Sequence, residues 1–245
     1  MSFYTSIASY YDLIFPYDEE EIHFLENVIR NIRDRRGYLD IGCATGTFLA
    51  EFADRFDSLV GLDLDRELLR LAGEKLFPAE CKKTELLEED MMNLGRILPD
   101  KVFSLATCLG NTIPHLVLPG QIELFLRQVF DRLEAGGVFV FQTINYDRIL
   151  QKGIRGLPTI ERGEVTFERY YSAQKQNGLI DFDTILVDPE RSVELRNSIE
   201  LNPVRKKALE EALETAGFGL NHFFGDYAGG TFDSDSYLLI GVCHK

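Results

Sequence analysis

The chain has 245 residues, 45% of them apolar, which is material for one large globular domain with a full core. Its net charge of −14 repels phosphate backbones and sets tight non-specific nucleic-acid binding aside. No run of ~18 apolar residues marks a transmembrane helix. The opening Met1-Ser2-Phe3-Tyr4-Thr5 lacks the basic-then-apolar pattern of a signal peptide, and Cys43, Cys81, Cys108 and Cys243 have no CxxC spacing, so reduced thiols in a cytoplasm fit better than disulfides or zinc.

Residues 3–17 are rich in aromatics, and a helix is predicted over residues 19–35, with Ile22, Leu25, Val28, Ile29 and Ile32 on one side and Gly37 as its C-terminal cap. Tyr38-Leu39-Asp40-Ile41 then suits a short buried strand with an acid at its end. A glycine turn follows, and Phe48, Leu49, Phe52, Ala53 and Phe56 recur at helical spacing. A second strand, Ser58–Leu62, ends at Asp63 and leads through Leu64-Asp65 into a helix with Leu68, Leu69, Ala72 and Leu76. Thr84–Glu88 is a weaker third strand. Lys101–Leu109 is a fourth, almost continuously apolar, as a parallel strand covered on both faces would be. Ile122, Phe125, Leu126, Val129, Phe130 and Leu133 trace an amphipathic helix stopped by Gly136-Gly137, and Val138–Asn145 is a fifth strand. This alternation predicts a doubly wound, mostly parallel α/β sheet.

The rhythm changes from Glu164 to Leu201, which reads as three antiparallel strands turned at Asn177-Gly178 and Asp188-Pro189. Such a meander, inserted at about residues 146–203, serves either as a cover over a substrate or as a dimerisation patch. Asn202-Pro203 is expected to start the last helix as N-cap and first helical residue, with Gly217 ending it. Leu220–Asp226 and Tyr237–Cys243 form a closing hairpin, bringing the sheet to seven strands. Residues 1–245 thus make one domain with an inserted antiparallel cap.

The chemistry concentrates at Asp40-Ile41-Gly42-Cys43-Ala44-Thr45-Gly46, where a strand, a glycine turn and a helix start present bare backbone N–H groups to a ligand. A dinucleotide fingerprint needs glycine where Ala44 stands, which argues against a nicotinamide oxidoreductase. The D-x-G-x-x-x-G pattern instead resembles the first motif of the class I S-adenosylmethionine (SAM) methyltransferases. Asp63, 21 residues after Gly42, stands where a carboxylate can accept hydrogen bonds from both ribose hydroxyls of an adenosine.

The resemblance spans nearly the whole chain and implies a set of cofactor contacts. Asp40, Gly42, Cys43 and Gly46 hold the amino acid end of SAM; Asp63 and its neighbour Leu64 take the ribose side. Asp90 meets the adenine amino group, Met91 packs on the ring, and Leu109 closes the fourth strand. The Ala8-Ser9-Tyr10-Tyr11-Asp12 stretch resembles the N-terminal cover of small-molecule methyltransferases, which brings Tyr11 to the cofactor; the alternative is that these rings only pack the core. Asp90 likewise also reads as an exposed loop acid. The Gly110-Asn111-x-x-x-His115-Leu116 loop resembles that of glycine and sarcosine N-methyltransferase-like proteins, making Asn111 and His115 the candidate catalytic pair. His115 is read as taking a proton near neutral pH, or else as a helix-start residue. Arg169, with Tyr171 beside it on the meander, could hold a substrate carboxylate, or else point to solvent.

The expected activity is in-line methyl transfer from SAM to nitrogen or oxygen of a small polar acceptor. No metal and no nucleic acid or membrane partner is expected, in a monomer or homodimer. The competing reading is a SAM- or adenosine-binding regulator without transferase activity.

Overall fold

The computed structural model describes residues 3–76 and 83–245, so Cys81 lies outside the described residues. Two short helices, α1 (Phe3–Ile7) and α2 (Tyr11–Ile14), lead into α3 (Glu19–Arg30), which Asp18 caps by accepting the Glu20 N–H. α3 stops at Arg30, short of residue 35, because Asn31 and Ile32 turn back onto the carbonyls of Val28 and Ile29. Gly37 is therefore no helix cap; it opens the first strand, β1 (Gly37–Ile41), which is buried along its whole length.

After β1 come α4 (Thr47–Glu51), β2 (Ser58–Asp63), α5 (Arg66–Leu76), β3 (Thr84–Glu88), α6 (Leu94–Ile97), β4 (Phe103–Cys108), α7 (Gln121–Arg132) and β5 (Leu133–Ile144). α4 covers only part of its apolar repeat. Phe52 and Phe56 leave the helix and reach the Tyr38 ring from a run of turns, at centroid distances of 6.2 and 5.4 Å. β5 begins earlier than its apolar core, so Gly136-Gly137 lies inside the extended run, with Gly136 at φ +79°.

A helix the strand pattern did not announce, α8 (Tyr146–Lys152), follows at once, capped by Asn145 accepting the Arg148 N–H. Then come four strands rather than three: β6 (Gly156–Arg162), β7 (Val165–Tyr171), β8 (Ile180–Asp188) and β9 (Val193–Leu201), antiparallel in that order. β6 escapes the pattern because it is an edge strand with Pro158 in it and little of it buried. α9 (Lys206–Ala216) starts after Arg205, not at Asn202. Asn202 instead ties down the loop after β4, donating its N–H to the Pro114 carbonyl and its side-chain amide to the Leu116 carbonyl. β10 (Leu220–Phe224) and β11 (Leu238–His244) close the chain.

The main sheet runs β10-β11-β5-β4-β1-β2-β3, with β1 to β5 parallel and β11 and β10 antiparallel. Alternation along each strand feeds two cores. Leu39, Ala106 and Phe139 face α7 and α9, while Tyr38, Leu105 and Val140 face α3 and α4. Gly241 is where the sheet tolerates no side chain, since a Cβ there would lie 2.2 Å from the fully buried Phe141 ring of β5. Gly241→Ala is expected to cost ~1–3 kcal/mol, read as a lower urea midpoint at unchanged m-value.

The N-terminal segment fills the space between this core and the four-stranded sheet. Ile7, Tyr10 and Ile14 pack on Val165, Phe167 and Leu186, and the Tyr10 hydroxyl donates to Asp188 at 2.8 Å. On its other side Asp12 binds Thr45 and Lys75, and Thr5 donates to Asp65. The far end of the four-stranded sheet rests on α8, through Tyr146 and Ile149 against Tyr171, Ile180 and Leu201.

Candidate active site

The loops at the carboxyl ends of β1 and β4 carry unusual backbone. Gly42, Ala44 and Gly46 all have left-handed φ, at +74°, +47° and +71°, as do Gly110 and Asn111, at +66° and +65°. At Gly42 a Cβ would also meet the Thr112 side chain at 2.8 Å, so the two loops touch there. Ala44 pays for its conformation with ~1–3 kcal/mol of strain and is held by a bond from its N–H to the Asp63 carboxylate at 2.9 Å. The other Asp63 oxygen accepts the Asp65 N–H at 2.8 Å. Burial raises the Asp63 pKa despite those bonds.

Asp40 is 2% exposed on the face of β1 that carries Tyr38. Its Oδ1 accepts the Thr107 hydroxyl at 2.7 Å, and Thr107 contacts the Tyr38 hydroxyl at 2.9 Å. Burial pushes Asp40 up to about 7, the Thr107 bond opposing and the Asp63 charge adding. No basic side chain is among the groups acting on it.

A cavity of about 730 Å³ opens above these loops, between the N-terminal segment and the four-stranded sheet. Of the residues singled out from the sequence, it is lined by Asp40, Gly42 and Cys43 from the first loop and by Leu109, Asn111 and His115 from the second. Tyr11 reaches it from α2, and Arg169 and Tyr171 from β7. Asn111 is internally satisfied: its Oδ1 accepts the Ile144 N–H and its Nδ2 donates to the Tyr146 hydroxyl, each at 3.0 Å. His115 Nε2 is in hydrogen-bond contact with the Tyr4 hydroxyl at 2.9 Å, and burial lowers its pKa to about 4. It is thus neutral at pH 7 and does not exchange a proton near neutrality, contrary to the expectation from its type. Arg169 does not point freely to solvent. Its Nη2 donates to the Pro158 carbonyl at 2.7 Å, its Nε is buried with no partner among the described residues, and burial pulls its pKa down. Tyr171 is 4% exposed, with its ring and hydroxyl beside Tyr146.

Residues 39–137 match the family described as a methyltransferase domain. The chain is 24% identical over 231 residues to the dTDP-3-amino-3,6-dideoxy-alpha-D-glucopyranose N,N-dimethyltransferase of Streptomyces fradiae, covering 91% of this chain and 88% of that protein. The chain is a class I SAM-dependent methyltransferase. The fold of the methyltransferase is that of a SAM-dependent methyltransferase from Clostridium acetobutylicum, at TM-score 0.83 and 19% identity over 99% of both chains. It is also that of an amino pentose methyltransferase from Micromonospora echinaspora solved with SAM bound, at TM-score 0.67 and 20% identity, covering 99% and 98%.

The residues present in the methyltransferase fit SAM. Asp40 is a buried carboxyl on which no basic side chain of the described residues acts, the Gly110 Cβ position faces open space, and Gly42 keeps the first loop bare. The remaining candidates stand outside the cavity wall. Gly46 caps α4, and Asp63 sits behind Ala44. Leu64 is 72% exposed beside it. Asp90 caps a 3₁₀ turn by accepting the Met92 N–H at 2.8 Å, and Met91 packs on the core under α7. Sequence reasoning missed Tyr4, Glu21 and Tyr227, which line the cavity too. Glu21 carried a signal, the Asp18-x-x-Glu21 spacing of a capping box; Tyr227 lies in an irregular connection and carried none. Among the described residues no helix is long and apolar enough to cross a membrane.

Proposed function

We propose that the methyltransferase alkylates nitrogen or oxygen of a small polar acceptor bound under the four-stranded sheet. SAM supplies the chemistry, a methyl group already activated on a sulfonium. The protein has to align and to exclude water. Asp40 and Tyr11, with the bare backbone of Gly42, Cys43 and Gly46, hold the amino acid end; Asp63 and Leu64 take the ribose side, and Asp90 and Met91 the adenine. Leu109, Asn111 and His115 form the floor next to the reacting groups, where a neutral, hydrogen-bonded imidazole orients an acceptor better than it stores a proton. The cap strands are the substrate cover.

One observation carries the acceptor's character: among the described residues the Arg169 Nε is buried in the cavity wall with no partner, and the Tyr171 hydroxyl lies in the same wall with only Tyr146 beside it. Leaving such groups unpaired is costly, so they argue for a ligand that completes them. An anionic or strongly polar acceptor does so. The amino sugar acceptor named for the Streptomyces relative agrees with a small molecule and with nitrogen.

Three measurements test this reading. SAM and S-adenosylhomocysteine (SAH) should raise the melting temperature by mass action on the folded state, and NAD should not. SAH should form from SAM when a competent acceptor is supplied; a protein that binds SAM and never yields SAH is the regulator instead. Asp63→Ala is expected to weaken SAM binding by ~1–3 kcal/mol, as hydrogen bonds to a charged partner are lost. Unaltered affinity in calorimetry would remove the ribose assignment.

A further inference from the structure

The cavity has a polar wall that the roles above leave unused. Glu21, in the first turn of α3, and Tyr227, in the connection between β10 and β11, line it together. The Tyr227 ring is held from behind, edge-on to Phe24 at 5.6 Å. Burial pushes the Glu21 carboxyl up to about 7; the Asp18 N–H and the Tyr227 hydroxyl oppose this, and no basic side chain acts on it. The capping box accounts for a Glu at this position of the helix. It does not account for a carboxyl that faces a cavity with no basic side chain of the described residues acting on it. The four-stranded sheet lines the same cavity with the opposite chemistry, the Arg169 guanidinium and the hydroxyl of Tyr171, itself 4% exposed. The rings of Tyr11, Phe48 and Phe182 contribute to its remaining wall.

We propose that Glu21 and Tyr227 form the subsite for the amino group of the methyl acceptor, so that the acceptor is an amine that also carries an anionic group. A half-buried carboxylate gains most from an N–H donor bearing positive charge. Aromatic walls add attraction for the same cation. A hydroxyl acceptor brings no positive charge to the half-buried Glu21 carboxyl, whose ionised form burial already disfavours. The anionic end is drawn to Arg169 and Tyr171, and a molecule carrying both groups pairs the two walls at once.

This inference rests on the transferase reading, and its test separates the two. SAH-loaded protein is titrated by calorimetry with matched probes: glycine against acetate, 4-aminobutyrate against butyrate, glucosamine 6-phosphate against glucose 6-phosphate. In at least one pair the amine is expected to bind ~10-fold tighter than its twin. In Glu21→Gln that ratio falls to within about threefold, with the melting temperature not lowered, because Gln keeps the capping box and removes a carboxyl whose pKa burial raises. Twins that bind alike, discrimination that survives in Glu21→Gln, or no binding by any probe overturns the assignment. Failure of the transferase reading registers elsewhere, as SAM that never becomes SAH with any acceptor.

Discussion

Asp40→Asn is expected to stabilise the ligand-free methyltransferase at pH 8 while weakening its hold on SAM. The folded-state pKa of Asp40 is raised from 3.8 to about 7. Between those values the folded chain binds more protons than the unfolded one, so stability falls as pH rises from about 4 to about 7, and the loss is complete above that. A shift of this size corresponds to ~4 kcal/mol at most, and ~2–4 is a fair expectation. Asn removes the charge but keeps an oxygen for the Thr107 hydroxyl, which donates to Asp40 Oδ1 at 2.7 Å. Urea unfolding should therefore show the variant ahead at pH 8, with its lead shrinking to nothing near pH 4. In the same variant SAM affinity is expected to drop by ~1–3 kcal/mol, the effect of losing the proposed contact between the Asp40 carboxylate and the cofactor's ammonium. Superimposable stability profiles from pH 4 to 8 would mean that the carboxyl is not held in a dry site.

Arg169→Ala is expected to lower kcat/KM for the acceptor by ~30- to 1000-fold, or ~2–4 kcal/mol, the range for truncating one partner of a desolvated charge pair. SAM affinity should hold, since Arg169 stands on β7 and contacts the Pro158 carbonyl rather than the glycine loops. Arg169→Lys should recover little, because an ammonium cannot replace a guanidinium that donates to Pro158 and to a ligand together. His115→Ala is a smaller case of the same test, with at least ~10-fold lower turnover, about 1.4 kcal/mol. Because His115 is neutral throughout, wild-type and variant activity should keep the same ratio between pH 6 and 8. A ratio that changes across that window would restore proton transfer to His115.

The glycine loop and the α/β rhythm were legible because each is local. Asp40, Gly42 and Gly46 are specified by what one tight turn requires, and the strand residues around them by burial on both faces, as the fully buried β1 and β4 confirm. The inward alternation of Val165, Phe167, Arg169 and Tyr171 was equally plain, since a one-sided sheet has a period of two. Elements fixed by distant partners were not legible. The apolar repeat after Gly46 reads as a longer helix, yet Phe52 and Phe56 are claimed by Tyr38. Asn202 reads as a helix cap, yet its donors go to Pro114 and Leu116.

The same division runs through the site. Residue type and spacing were enough to place a glycine loop, an acid after the second strand and a cation on the inserted sheet. They could not assign protonation, because a pKa follows from burial: His115 was read as a neutral-pH acid–base group, and enclosure lowers it to about 4. Nor could they pair Glu21 with Tyr227, which are separated by most of the chain and meet only when α3 packs beside the β10–β11 connection. Local chemistry is written in neighbouring residues; solvent exclusion and long-range opposition of charges exist only once the chain has closed around the cavity.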